Sequence, residues 1–235
     1  MKLLVIDTET TGTDKIDSVC EIAATFYQIG ENERTTGAIA SISTLMPVTY
    51  NDAESINQIP FELTLASSTL LDRSLMLMKE LSEITDYAIA FNAEFDAPLV
   101  NQILGEQKWL CAMRDINWEY PSVNSYGGFK LIDLALWLGI GVSTVHRAGD
   151  DVRLLVECFN RKKEILPMMI TDAIERSNSP FVELKALVNY NNRELAKQTG
   201  FSWDGNRKSW IKKIRECDVE AFTKTLEFQY EFQNN

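Results

Sequence analysis

The first twelve residues constrain this chain more than any others. Leu3, Leu4, Val5 and Ile6 form an apolar run of strand type, and it leads into VIDTETTG, where Asp7 and Glu9 lie one residue apart. On an extended backbone, side chains two positions apart point to the same side. A buried strand therefore delivers two carboxylates to one place. They repel each other, and partial burial adds a desolvation cost. Such a pair is tolerable where positive charge sits between the two, and the corner is expected to be strained without it.

A chain of 235 residues suffices for one large α/β domain, or one domain with a small appendage. No apolar run approaches the roughly 20 residues that span a bilayer, so no membrane partner is expected. The N-terminus carries one lysine and enters the acidic strand at once, unlike a signal peptide. Cys20, Cys111, Cys158 and Cys217 are scattered without a C-x-x-C pair. That usage suggests reduced thiols, a cytoplasmic location and no zinc site.

The net charge of −11 argues at first against a polyanionic partner. The charge is uneven, however. Between Lys185 and Arg215, eight basic residues face only Glu194 and Asp204, a net +6; the remainder carries fifteen basic and thirty-two acidic residues, a net −17. This asymmetry suggests two functional parts.

Patterning predicts strands over residues 2–7, Cys20–Ile29, Ala38–Leu45, Tyr87–Phe91 and Trp109–Met113, and helices over Leu70–Ile84, Lys130–Leu138 and about Asp150–Lys163. Gly127–Gly128 is read as a break before the second helix, and GIGVST as a loop after it. Strands first and alternation later suggest a mixed sheet flanked by helices. Ser177–Pro180 reads as a linker, followed by a helix at Asn192–Thr199 and a hairpin of Phe201–Trp203 with Lys208–Ile211 around Asp204–Gly205. The implied division is a domain over 1–170 and a small basic module over 178–235.

Two further acidic features stand out. In FNAEFD, Asp96 follows a predicted strand; Pro98 disfavours a helix already under way at Ala93, so the regular helix is expected to start near Asp96. Taken alone, Asp96 would read as a helix cap. In HRAGDDV, the chain's single histidine, His146, precedes Asp150 and Asp151, with Gly149 favouring a helix start after the histidine. His146 is expected on a loop close to the acid without being stacked on it.

Together, D-x-E closing the first strand, N-x-x-x-D after a later strand and H-x-x-x-x-D opening a late helix resemble the three sequence blocks of the DEDDh, or DnaQ-like, exonuclease superfamily. The resemblance covers roughly residues 1–165. WLCAMRDINW with GGFKLIDLALWLGI is similar to bacterial exodeoxyribonuclease X-like members. The resemblance implies a ribonuclease H-like α/β fold: a mixed five-stranded sheet with flanking helices, to which the C-terminal segment adds a small α+β module. It implies Asp7, Glu9, Asp96 and Asp151 as metal-binding and catalytic acids and His146 as general base. The family's four-residue gap selects Asp151 over Asp150, which is left as a solvated acid at the helix start. Many relatives have histidine where this chain has Phe91, outside the five catalytic positions. Thr10 and Asn92 are carried over as substrate-contacting residues.

The chemistry agrees with the transfer. Four carboxylates suit hard divalent cations, Mg²⁺ or Mn²⁺. Two such ions about 4 Å apart can clamp a phosphodiester. Histidine, a residue type that titrates near neutral pH, suits deprotonation of the attacking water. The expected activity is a metal-dependent 3′→5′ exonuclease acting on a nucleic acid with a free 3′ end, DNA in preference, with DNA repair among the settings it suits. Alternatives are an RNA-trimming exoribonuclease and a non-catalytic adaptor that holds nucleic-acid ends.

The tail, with LAKQTGFSW and KSWIKK as its core, is similar to a short module appended to some bacterial and phage exonucleases. Aromatics interleaved with lysines and arginines fit base stacking and phosphate contact, which marks Trp203, Lys208, Trp210 and Lys212 as substrate-binding candidates. The competing reading places Trp203 and Trp210 in the module's own small core.

Overall fold

The computed structural model describes residues 1–12, 18–121, 129–143 and 146–233. The Gly127–Gly128 break and the end of the GIGVST loop lie outside them. The chain forms two compact units, one of residues 1–116 and 130–170, the other of 117–129 and 171–235.

In the first unit, β1 (Lys2–Thr10), β2 (Val19–Gln28) and β3 (Gly37–Leu45) are followed by two single-turn helices, α1 (Glu54–Asn57) and α2 (Phe61–Thr64), and by the longer α3 (Ser68–Glu83). Then come β4 (Tyr87–Ala90), α4 (Ala93–Leu104), β5 (Trp109–Cys111), α5 (Leu131–Trp137) and α6 (Ala148–Arg161). The sheet order is β3-β2-β1-β4-β5. β1–β2 and β2–β3 pair antiparallel, whereas β1–β4 and β4–β5 pair parallel. This is a mixed, ribonuclease H-like sheet with helices on both faces.

The strand period of two sorts the side chains. Leu4 and Ile6 of β1 join Ile22 and Ala24 of β2 in a core with Met78 of α3 and Val100 and Leu104 of α4. Alternation then turns Val5, Asp7 and Glu9 to the opposite face, which α6 covers. On that face Tyr27 packs edge-on against Phe159, with ring centroids 5.7 Å apart, and its hydroxyl donates to Asn160 Oδ1 at 3.0 Å. Burial of Val152, Leu154, Leu155, Val156 and Phe159 fixes the rotation of α6 about its axis.

One expectation fails at α4. The helix begins at Ala93, not near Asp96, and Pro98 lies inside it. The N–H groups of Phe95 and Asp96 already bond the Asn92 carbonyl. Proline costs a helix one backbone bond, and the burial of Val100 and Leu104 against the sheet offsets that loss.

The second unit takes in the end of α7 (Leu166–Asn178), then β6 (Phe181–Ala186), α8 (Arg193–Gln198), β7 (Ser202–Asp204), β8 (Ser209–Arg215), α9 (Glu216–Thr223) and β9 (Tyr230–Gln233). Its four strands pair antiparallel in the order β7-β8-β6-β9. Residues read as a linker, Ser177 and Asn178, are instead the last turn of α7. Their side chains bond back to the Ile174 carbonyl, and Arg215 donates to the carbonyls of Ser177 and Ser179. The predicted hairpin forms, with Asp204 Oδ1 accepting from the N–H groups of Asn206 and Arg207 at 2.9 Å each.

Leu184, Ala186, Ala196 and Phe201 form this unit's core, packed by Trp210, Ile214, Phe222 and Phe228. Phe201 is the largest of these four buried side chains. Truncating it leaves a cavity that so small a core cannot close. Phe201→Ala is expected to cost about 3–5 kcal/mol in denaturant unfolding followed by tryptophan fluorescence.

Candidate active site

The site forms at the C-terminal end of β1. Glu9 faces Glu21 directly across the β1–β2 ladder, and the register shifts between Glu9 and Thr10, ending the regular pairing. Beyond the shift the chain is held from the side. The Asn57 amide donates to the Thr10 carbonyl at 3.2 Å, and the Ala53 N–H donates to the Thr11 carbonyl at 3.1 Å. Thr10 turns its own hydroxyl onto the Gly12 carbonyl at 2.6 Å.

Asp96 enters from α4. It is only 2% exposed, and its Oδ1 accepts from both the backbone N–H of Thr8 (3.0 Å) and the Thr8 hydroxyl (2.8 Å). The residue between Asp7 and Glu9 thus ties the third acid to the first two. Asp96 does not cap its own helix; the N-cap is Asn92, whose side chain makes no capping bond.

His146 and Asp151 come from the start of α6. Arg147 is the N-cap, and its carbonyl accepts from the N–H groups of Asp150 and Asp151. His146, just before it, is exposed and has φ +61°, a left-handed conformation that costs a residue with a Cβ some strain. Its backbone N–H bonds to the Asp151 carboxylate. One ligand atom each from Glu9, His146 and Asp151 lies within 4.8 Å of the others. Asp150 instead pairs with Arg153 at 3.8 Å.

The electrostatics follow from this crowding. Burial, then the charges of Asp96, Asp151, Glu9 and Glu21, hold the Asp7 carboxyl well above its usual range. Burial, then Asp151, Glu21 and Asp96, push Glu9 up to about 8. Burial raises Asp96 to about 7, against the opposing pull of the two Thr8 hydrogen bonds. Asp151 is raised by burial as well, with the nearby His146 acting in the other direction. Without a cation the cluster holds protons that carboxylic acids ordinarily release.

Glu21 did not emerge from the sequence motifs. It is a charged residue inside the apolar run CEIAATFY, and that misplacement was the available signal. It is 3% exposed and bonds Arg147 through both carboxylate oxygens, at 2.9 and 3.0 Å.

The C-terminal candidates differ among themselves. Trp203 is 54% exposed and meets Trp210 edge-on at 5.7 Å, while Trp210 packs on the unit's core. Lys212 points inward: its ammonium lies 4.8 Å from the Phe222 ring centre and donates to the Gly200 carbonyl at 3.4 Å, and burial lowers its pKa. Lys208 sits in the hairpin turn with φ +48°. Elsewhere in the unit, Lys185 pairs with Glu231 at 2.7 Å and Arg207 with Glu183 and Asp204.

Residues 182–232 match a family described as a domain of unknown function (DUF8626). Two DNA polymerase III PolC-type proteins, from Thermotoga petrophila and Thermotoga maritima, are 25% and 24% identical over 178 residues. The match takes in 69% of this chain and 12% of each polymerase, so the chain spans about an eighth of those relatives. Among solved structures, a full-length 3′-exonuclease matches with a TM-score of 0.54 and 14% identity, over 71% of this chain and 60% of that one. The zinc-bound Escherichia coli ExoI–ssDNA complex matches with a TM-score of 0.59 and 14% identity, over 91% and 63%. A 3′-exonuclease recognising the histone mRNA stem-loop matches with a TM-score of 0.50 and 13% identity, over 69% and 63%. The fold is that of the 3′-exonucleases.

Protons bound at Glu9 and Asp96 predict an inverted pH response. Their folded values lie above the ordinary 4.5 and 3.8, so their stabilising share is full below those values and is lost as pH rises through about 7 and 8. In EDTA, the melting temperature is expected to fall between about pH 5 and about pH 8, and Mg²⁺ to restore more at the upper end than at the lower. Differential scanning fluorimetry checks this, and Asp7→Asn is expected to raise the EDTA melting temperature at about pH 8 by removing a buried ionisable group from among neighbouring carboxylates.

Proposed function

We propose that this chain is a metal-dependent 3′→5′ exonuclease that hydrolyses phosphodiester bonds at nucleic-acid 3′ ends, with DNA as substrate. The observation that carries the reading is the convergence of Asp7, Glu9, Asp96 and Asp151 with His146 at one corner of a 3′-exonuclease fold. The donor set fits hard divalent ions: it is built of carboxylates, whose pKa values are raised by burial and then by one another's charge. Arg147, the cation whose charge reaches Glu9, is committed to Glu21. Asp7, Glu9, Asp96 and Asp151 would hold two Mg²⁺ or Mn²⁺ ions. When bound, those ions supply Lewis-acid polarisation of the phosphodiester and a more acidic attacking water.

The chain's own groups supply the rest. The exposed imidazole of His146, beside Glu9 and Asp151, receives the proton of the attacking water. The bond from the backbone N–H of His146 to the Asp151 carboxylate ties the residue carrying the base to the acid beside it. Thr10, at the end of β1, and Asn92, at the mouth of α4, would contact the 3′-terminal nucleotide. DNA is favoured because the polymerase relatives and the ExoI complex concern DNA; the similarity to an enzyme that recognises an mRNA stem-loop supports an exoribonuclease as the second reading.

With Mg²⁺, wild type is expected to degrade a linear 3′-labelled single-stranded DNA to mononucleotides and to leave closed circular DNA intact. Asp7→Ala is expected to lower kcat at least about 10³-fold, because several kcal/mol of charge stabilisation goes with the metal. Equal inactivity of wild type and Asp7→Ala would favour an end-binding adaptor. Faster digestion of a sequence-matched RNA would favour the exoribonuclease.

A further inference from the structure

We propose that Glu21 and Arg147 form the positioning element of this site, a half-buried clasp that fixes where α6 begins and so places His146 and Asp151 against Glu9. Activity readouts of this inference rest on the exonuclease reading; its structural readout does not.

The clasp joins three elements. Glu21 Oε1 accepts from the Ser43 hydroxyl of β3 at 3.1 Å and from Arg147 Nη2 at 3.0 Å. Its Oε2 accepts from Arg147 Nε at 2.9 Å and from the Ala148 N–H at 3.0 Å. Ala148 is the first residue of α6, and its N–H is one of those a helix leaves unbonded. Arg147 makes no side-chain cap of its own. Glu21 therefore caps α6 from a neighbouring strand while holding the N-cap residue by its planar fork.

Stability alone does not account for this arrangement. Glu21 is buried while the Arg147 side chain is 37% exposed; such a pair is weak evidence of stability, and the best-attested use of an inward-facing charge pair is to fix register. Register matters here. Asp150 and Asp151 are adjacent, and one residue of helix rotation, about 100°, would exchange them. The backbone just before the clasp is strained at His146, so something must hold it. Glu21 lies opposite Glu9 in the strand ladder, so the clasp references the helix to the acid pair itself.

The test uses the full chain with Glu21→Gln and Arg147→Lys. Glutamine keeps an oxygen for the Ala148 N–H but turns an amide toward the guanidinium. Lysine keeps the charge but cannot bridge both oxygens. Both variants are expected to lose about 10- to 100-fold in kcat, as displaced supporting groups around metal ligands do. KM for a single-stranded oligonucleotide should stay within about twofold, since substrate binding is not what the clasp controls. His146 is the single histidine, so its imidazole signals in a ¹H–¹³C spectrum are unambiguous, and they are expected to shift and broaden in both variants. If Glu21→Gln fails to fold, Arg147→Lys decides alone. Wild-type kcat and imidazole signals, or a raised KM at unchanged kcat, would overturn the proposal. Were wild type itself inactive on every nucleic acid, the exonuclease reading would fall, while the imidazole spectrum would still judge the clasp.

Discussion

Mutual repulsion among carboxylates confined at the end of β1 is the constraint on which the rest of this site depends. β1 is the middle strand of five, so its end is reached from both sides. Its antiparallel neighbour brings Glu21 opposite Glu9, and its parallel neighbour β4 leads into α4 and Asp96. The helix covering the other face supplies Asp151 and, just ahead of it, His146. Asp7 and Glu9 are fixed by β1, Asp96 by α4 and Asp151 by α6, so none can swing away from the others without disturbing the sheet or a packed helix. The fold is what makes the crowding persist.

That persistence has a chemical consequence. Flexible surface acids would relax apart and stay ionised in water, whereas Glu9 and Asp96 rise to about 8 and about 7. Burial and then neighbouring charge favour protons on these carboxyls near neutral pH, and on the proposed reading those protons would be exchanged for divalent cations. The hydrogen bonds from Thr8 to Asp96 act in the opposite sense, favouring the ionised form and orienting it. Strain at an active corner, offset by packing elsewhere, is where local rules are expected to break.

Much of this was legible in the sequence because the signals are local. The apolar run into D-x-E, the short strand before FNAEFD and the glycine after His146 each mark an element end, and the elements lie within a few residues of expectation. What the sequence concealed depends on partners far along the chain. Pro98 suggested a later start for α4 because the burial that overrides it belongs to residues of other strands. Ser177 and Asn178 look like linker residues until Arg215, 38 positions from Ser177, supplies its carbonyl's partner. Lys212 reads as a surface cation, yet the pairing of β8 with β6 places it beside Phe222. The run from Lys185 to Arg215 is strongly basic as a string; folding sets Glu183 and Glu231 against Arg207 and Lys185. Glu21 was visible as a charge in an apolar strand, but its role needed the register against Glu9 and the start of α6.

The central claim is that these acids form one protonated, cation-seeking cluster. Isothermal titration of Mn²⁺ into the metal-free protein at about pH 7, in two buffers of different ionisation enthalpy, tests it most directly. The account predicts saturable binding with protons released to the buffer, because carboxyls raised to about 7 and 8 must give them up to bind metal. Absence of saturable binding, or binding with the same heat in both buffers, would contradict it.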